Sequence, residues 1–212
     1  MNAYKASIKS MSKNSFIETE QLKSARMIAE SVLKGQQLMN TEEPIKIVSL
    51  ANQYGFTVIV SNRLGKFQGV IAYDESGKTK QLGTNFTKVI AVSEDLTLKE
   101  KRFVTAHELG HYIMEGRGIT ERSYGDTKQG FQTRRAEHGR SDYENTIDYF
   151  AACLLMPSQA VWEVLNHSDT KAKTKDEQAQ ILSEIFQVDI EVAERRIVEV
   201  ESTGKRGIIR GQ

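Results

Sequence analysis

The 212-residue chain has a single cysteine and only two prolines. One cysteine excludes an internal disulfide framework and suits a reducing compartment. Long apolar runs are also missing: no stretch approaches the roughly 20 residues that a membrane-spanning helix needs. Met1–Asn14 is polar and dotted with lysine, without the apolar centre of a secretory signal. The expectation is a soluble, cytoplasmic protein. Its length suits one domain with a core large enough to need no covalent staple.

Excess charge of one sign is lacking too. The 29 basic and 28 acidic side chains leave a net charge of +1, which gives no support to a nucleic-acid binder that uses its whole surface. The distribution is uneven. Residues 1–40 carry six basic and three acidic side chains, residues 144–194 three and ten, and residues 195–212 five and two. An acidic stretch therefore precedes a basic tail.

What is present reads as helices around a small sheet. Residues 1–14 form a flexible leader. Ser15 and Glu18 have capping-box spacing and open a helix to about Gly35, with Ile17, Ala25, Ile28, Ala29 and Val32 as its apolar stripe. Pro44 suits the first turn of a second helix, with Ile45, Val48, Leu50 and Ala51 inward and Gly55 ending it. Three β-branched runs follow, Phe56–Val60, Phe67–Tyr73 and Val89–Val92, and their short links predict a mostly antiparallel meander. A helix from Thr97 to about Glu115 comes next, then a polar loop to Asp142. Tyr143–Met156 is a strongly apolar helix stopped by Pro157. Gln159–Leu165 is a short helix and His167–Lys175 a polar linker. Thr174 and Glu177 box a helix to Phe186, and Asp189 caps a last helix to about Val200.

The sharpest feature is His107-Glu108-Leu109-Gly110-His111. Residues four apart on a helix share a face, so both imidazoles can bind one zinc ion. Glu108 beside them can hold and deprotonate a water that the metal has acidified. Phe103, Ala106, Leu109 and Ile113 supply a face for burial. Gly110 costs about 1 kcal/mol within a helix, so a close approach of another element is expected to offset it.

Zinc with two imidazoles needs a third protein ligand and an open position for water. Glu144 stands near the start of the next helix, and Asp148 lies one turn further along the same face. Glu144 would ligate, while Asp148 would accept the outer N–H of a ligating histidine and fix its tautomer. Carboxylates are otherwise odd in a helix carrying Ile147, Phe150, Ala151, Leu154 and Leu155. His138 or Glu137 is an alternative third ligand. A donor to stabilise the tetrahedral oxyanion is also expected, with His138 and Tyr143 the foremost candidates beside Tyr124 and His167. Tyr112 reads as packing, Cys153 as a small buried hydrophobe, and Trp162 as core.

His107–His111 together with Glu144-Asn-Thr-Ile-Asp148-Tyr-Phe-Ala-Ala-Cys-Leu-Leu-Met-Pro157 resembles the ImmA/IrrE family of metallopeptidases. That family has a zinc-binding helix and a Glu-x-x-Ala-Asn-x-Phe-Ala-Ala-x-Leu-Leu-Met-Pro stretch. Here Ile147 replaces the alanine and Asp148 the asparagine, closer to the Glu-x-x-x-Asp of thermolysin-like zinc peptidases. The resemblance covers about residues 40–200.

The resemblance implies an α+β, zincin-like fold of gluzincin type. Together with the element pattern, a peptidase domain is expected at 15–165, a helical extension at 166–201 and a flexible tail at 202–212. Family members commonly belong to phages, mobile elements or stress responses, and cleave or inactivate a helix-turn-helix repressor. The implied activity is zinc-dependent endopeptidase cleavage of such a repressor. Manganese or another divalent ion would satisfy the same donors. The alternative is an anti-repressor that binds without cutting, its metal site structural or vestigial. The last two helices have helix-turn-helix length. However, residues 174–194 hold one basic and six acidic side chains, which suits protein docking better than phosphate contact.

Overall fold

The computed structural model describes residues 16–38, 43–73, 82–115 and 142–207. Ser15, the leader, the loop through 116–141 and residues 208–212 lie outside them. Two compact units emerge: Lys46–Ala151, and the chain up to Ile45 together with that from Ala152 onward.

In the central unit, α2 (Ile47–Gln53) follows Lys46, the N-cap residue, which makes no side-chain cap bond. The helix thus starts three residues after Pro44, not at it. Proline disfavours the helical region for the residue before it and does not impose it on those after. Ile47, Leu50 and Ala51 face inward, whereas Val48 is 48% exposed. Gly55, at φ +84°, turns the chain into β1 (Thr57–Ser61).

Strands β2 (Gly69–Tyr73) and β3 (Lys88–Ser93) complete a sheet of order β1-β3-β2. The sheet is mixed and not the expected meander. β3 pairs parallel with β1, Thr57 opposite Val89, and antiparallel with β2, Gly69 opposite Val92. Val89, Ile90, Ala91 and Val92 are all buried. A strand that buries both faces belongs in the centre, and this one does so although it comes last. On one face Val70, Ala72, Val89 and Ala91 close over Leu64 and Leu82.

Helix α3 (Leu98–Glu115) packs across β2 and β3 on the other face. Its start is boxed by Thr97 and Glu100: the Glu100 amide donates to Thr97 Oγ1 at 3.2 Å, and the Thr97 amide donates to Glu100 Oε2 at 2.9 Å. Phe103, Ala106, Leu109 and Ile113 are buried as expected. Helix α4 (Asp142–Leu155) then passes close to α3. A Cβ added at Gly110 would stand 2.8 Å from Phe150 Cδ1 and 3.2 Å from Ile147 Cγ2. This is the close approach that the mid-helix glycine implied.

The second unit is helical. Helix α1 (Glu20–Gly35) is capped by Thr19, whose side chain accepts from the Leu22 amide. It does not begin at Ser15–Glu18. Glu18 instead accepts from Arg26 Nε at 2.8 Å, and Ile17 is 74% exposed. After α4 come α5 (Ser158–Asn166), α6 (Ser168–Lys171), α7 (Lys175–Phe186) and α8 (Ile190–Gly207). The His167–Lys175 segment therefore contains one helical turn, started by His167, whose Nδ1 accepts from the Asp169 amide at 3.4 Å. The Thr174–Glu177 capping box forms as expected. The last helix continues through 202–207, beyond its expected end at Val200.

Arg196 in α8 is 1% exposed and lies among polar partners. Its Nε donates to the Met156 carbonyl at 3.0 Å, its Nη2 to Ser158 Oγ at 2.9 Å, and its Nη1 to Glu199 at 3.3 Å. A buried guanidinium is tolerable because its donors are satisfied in this way. Cys153 is buried, and the loss of solvation pushes its thiol up to about 12. It remains a thiol near neutral pH and has no nucleophilic character.

Substitution Gly110→Ala tests the α3–α4 contact. Helix propensity alone favours alanine by about 1 kcal/mol. Overpacking against Phe150 and Ile147 costs about 1–3 kcal/mol, so the expected net effect is destabilisation. Urea unfolding checks the sign.

Candidate metal centre

Two helices bring the donors together. His107 and His111 sit one turn apart on α3, and their Nε2 atoms lie 3.0 Å from each other. Glu144, in the first turn of α4, places Oε2 3.3 Å from His107 Nε2 and 3.8 Å from His111 Nε2. The positive end of the helix dipole favours an ionised carboxylate there. These three residues offer ligand atoms all within 4.8 Å of one another. Donors about 2.0–2.2 Å from one tetrahedral cation lie roughly 3.3 Å apart, so the set fits a divalent ion.

The outer ring nitrogens are held as well. His107 Nδ1 meets Asp148 Oδ1 at 2.8 Å, and Asp148 is 1% exposed. His111 Nδ1 meets the Tyr143 hydroxyl at 3.1 Å. With each outer nitrogen engaged, both Nε2 atoms are turned towards Glu144, where they could meet a cation. Tyr143, a candidate oxyanion donor by sequence, thus lies behind a ligand ring. His138, Glu137 and Tyr124 fall outside the described residues. His167 belongs to the helical unit, where it is largely exposed and starts α6.

Burial alone would lower the His107 pKa. Hydrogen bonds to Asp148 and Glu144 and the charges of Asp148 and Glu108 outweigh that effect and raise it to about 10. The two carboxylates thus favour the protonated form of His107 at neutral pH. A metal must displace that proton.

The far end of α3 is clamped by aromatic packing. The Tyr112 ring lies 4.9 Å from that of Phe56 and 5.1 Å from that of Tyr73, both edge to face. Lys88 Nζ stands 4.8 Å from the Tyr112 ring centre, a cation–π contact. The Tyr73 hydroxyl donates to Glu115 at 2.6 Å. Tyr112 is packing, as its sequence context suggested. Sequence reasoning passed over Gly69, which abuts Glu108. A glycine opening a strand was the available signal.

Zinc titrated into chelator-stripped protein near pH 8 is expected to release about one proton per ion. Because His107 must lose its proton, affinity falls as pH falls. Asp148→Asn is expected to lower zinc affinity about 10–100-fold. It also reduces the proton release, because the charge that retains the proton is gone. Calorimetry in buffers of different ionisation enthalpy measures both.

A search of curated proteins finds no match. A solved structure described as a Mycobacterium tuberculosis transcriptional regulator shares the fold, with a TM-score of 0.52 at 16% identity. The match covers 82% of this chain and 46% of that one, so the chain spans about half the length of that protein. The peptidase M78 family, described as an IrrE N-terminal-like domain, matches residues 51–198, which take in α3 and α4 and the chain from α5 into α8. The chain therefore belongs to this IrrE-like family of metallopeptidase-type proteins.

Proposed function

We propose that the protein is a zinc-dependent endopeptidase of the cytoplasm that hydrolyses a peptide bond in a protein substrate. One observation carries the reading: the His107–His111–Glu144 triad has Glu108 next to a ligand in sequence and against the open strand β2 in space. A purely structural metal site needs no such carboxylate and usually recruits a fourth protein ligand.

A zinc ion bound by the triad would acidify a water and polarise the carbonyl to be attacked. Glu108 accepts the proton at a carboxylate oxygen and passes it to the departing amine nitrogen. Asp148 and Tyr143 hold the ring orientations of His107 and His111, so that both Nε2 atoms aim at one point. The substrate has a natural seat. β2 is an edge strand among the described residues, and an extended peptide can add to such an edge through its backbone. The family resemblance supports a helix-turn-helix repressor as the substrate, recognised before cutting.

The prediction separates cutting from binding. Glu108→Gln is expected to retain zinc and lower cleavage of a candidate repressor by at least about 100-fold. His107→Ala is expected to lose zinc and cleavage together. Mass spectrometry of fragments, with and without chelator, reads the result. Undiminished cleavage by Glu108→Gln would overturn the mechanism. Release of repressor from DNA without fragments would indicate an anti-repressor.

A further inference from the structure

The first residue of β2 lies directly against the proton-carrying side chain. A Cβ on Gly69 would stand 2.8 Å from Glu108 Oε1 and 3.1 Å from Glu108 Cγ, and would overlap a methyl of Val104. Val104 and Glu108 are one turn apart on α3, so together they form the part of the helix that β2 crosses. Gly69 is not among the residues with positive φ. Its backbone would admit any side chain, and what excludes one is the space that Glu108 and Val104 occupy.

Strand register adds a second observation. The Ser93 amide donates to the Gln68 carbonyl at 2.8 Å, and Gln68 precedes the Gly69–Val92 pair. Hydrogen-bonded and non-hydrogen-bonded pairs alternate along an antiparallel ladder. The amide and carbonyl of Gly69 therefore point away from β3, towards the side of β2 on which no described strand lies. Backbone polar groups and the Glu108 carboxylate meet at one residue that has no side chain to separate them.

We propose that Gly69 is a positioning residue for Glu108. Its bare Cα lets the carboxylate lie against the strand edge, where proton transfer to and from a bound chain takes place. A methyl group there displaces the carboxylate, the flexible end of its side chain, and leaves the metal donors in place. None of the three atoms nearest to the added Cβ belongs to His107, His111 or Glu144. The inference rests on the role given to Glu108 in the proposed function.

Cobalt(II) loaded into the full chain is the probe, and the pH at which its visible spectrum changes is the readout. Glu108→Gln is expected to move that transition by about one pH unit, because a charge beside the metal is lost. Gly69→Ala is expected to move it in the same direction by at least half as much. Its cobalt affinity should stay within about threefold of the parent, short of the roughly 10–100-fold loss given by disrupted ligand support. Gly69→Ala/Val104→Ala removes the methyl that overlaps most. It should recover the melting temperature while keeping the displaced transition, and it decides the matter if the single variant does not fold. A transition moved by Glu108→Gln but not by Gly69→Ala, or restored by Val104→Ala, overturns the inference alone. A transition unmoved in Glu108→Gln overturns the role of Glu108 and the inference with it.

Discussion

The spacing of the metal donors depends on one contact without a side chain of its own. At Gly110, α3 lets Phe150 and Ile147 of α4 approach its backbone closely. Both imidazoles come from α3, and both supporting carboxylates, Glu144 and Asp148, come from α4. The distance between the helices therefore becomes the distance between donors. A triad within 4.8 Å leaves little tolerance, since coordination bonds vary by only about 0.2 Å. The same argument explains a glycine one residue before a ligand, where helix propensity alone disfavours it.

Charge supplies the second constraint. Asp148 is almost wholly buried, Glu144 is 13% exposed, and the charge of Glu108 also acts on His107. Buried carboxylates require compensating positive charge. A divalent cation would provide it, and a proton on His107, favoured by the same carboxylates, would offset part of the deficit. Metal and proton thus compete for one nitrogen.

The gathering of His107, His111 and Glu144 was legible because a helix converts spacing into direction. Four residues from His107 to His111 and four from Glu144 to Asp148 each put two groups on one face. Burial in α3 was legible for the same reason, from Phe103 to Ile113. The sheet order was not. Short links between strands favour neighbours in sequence, but the apolar run Val89–Val92 takes the centre because it buries both faces. Capping signals were only partly legible: α1 is capped by Thr19, and Glu18 accepts from Arg26. Arg196 read as part of a basic tail, because charge counts carry no information about burial. Gly69 offered only a faint signal, a glycine opening a strand, because the side chains it meets, Val104 and Glu108, lie on a helix that begins about thirty residues later.

The place of β3 has a consequence for how the chain acquires its structure. β1 and β2 both pair with β3 and not with each other. On a chain made from the N-terminus onward, two apolar strands must wait until the third emerges. Non-local pairing of this kind pays its loop entropy before it gains contacts, which slows folding. The next segment out is α3, which covers the fresh sheet. Sheet closure and placement of the histidine helix are therefore adjacent events in time. Until they occur, the exposed strands are the part of the chain most open to misassociation.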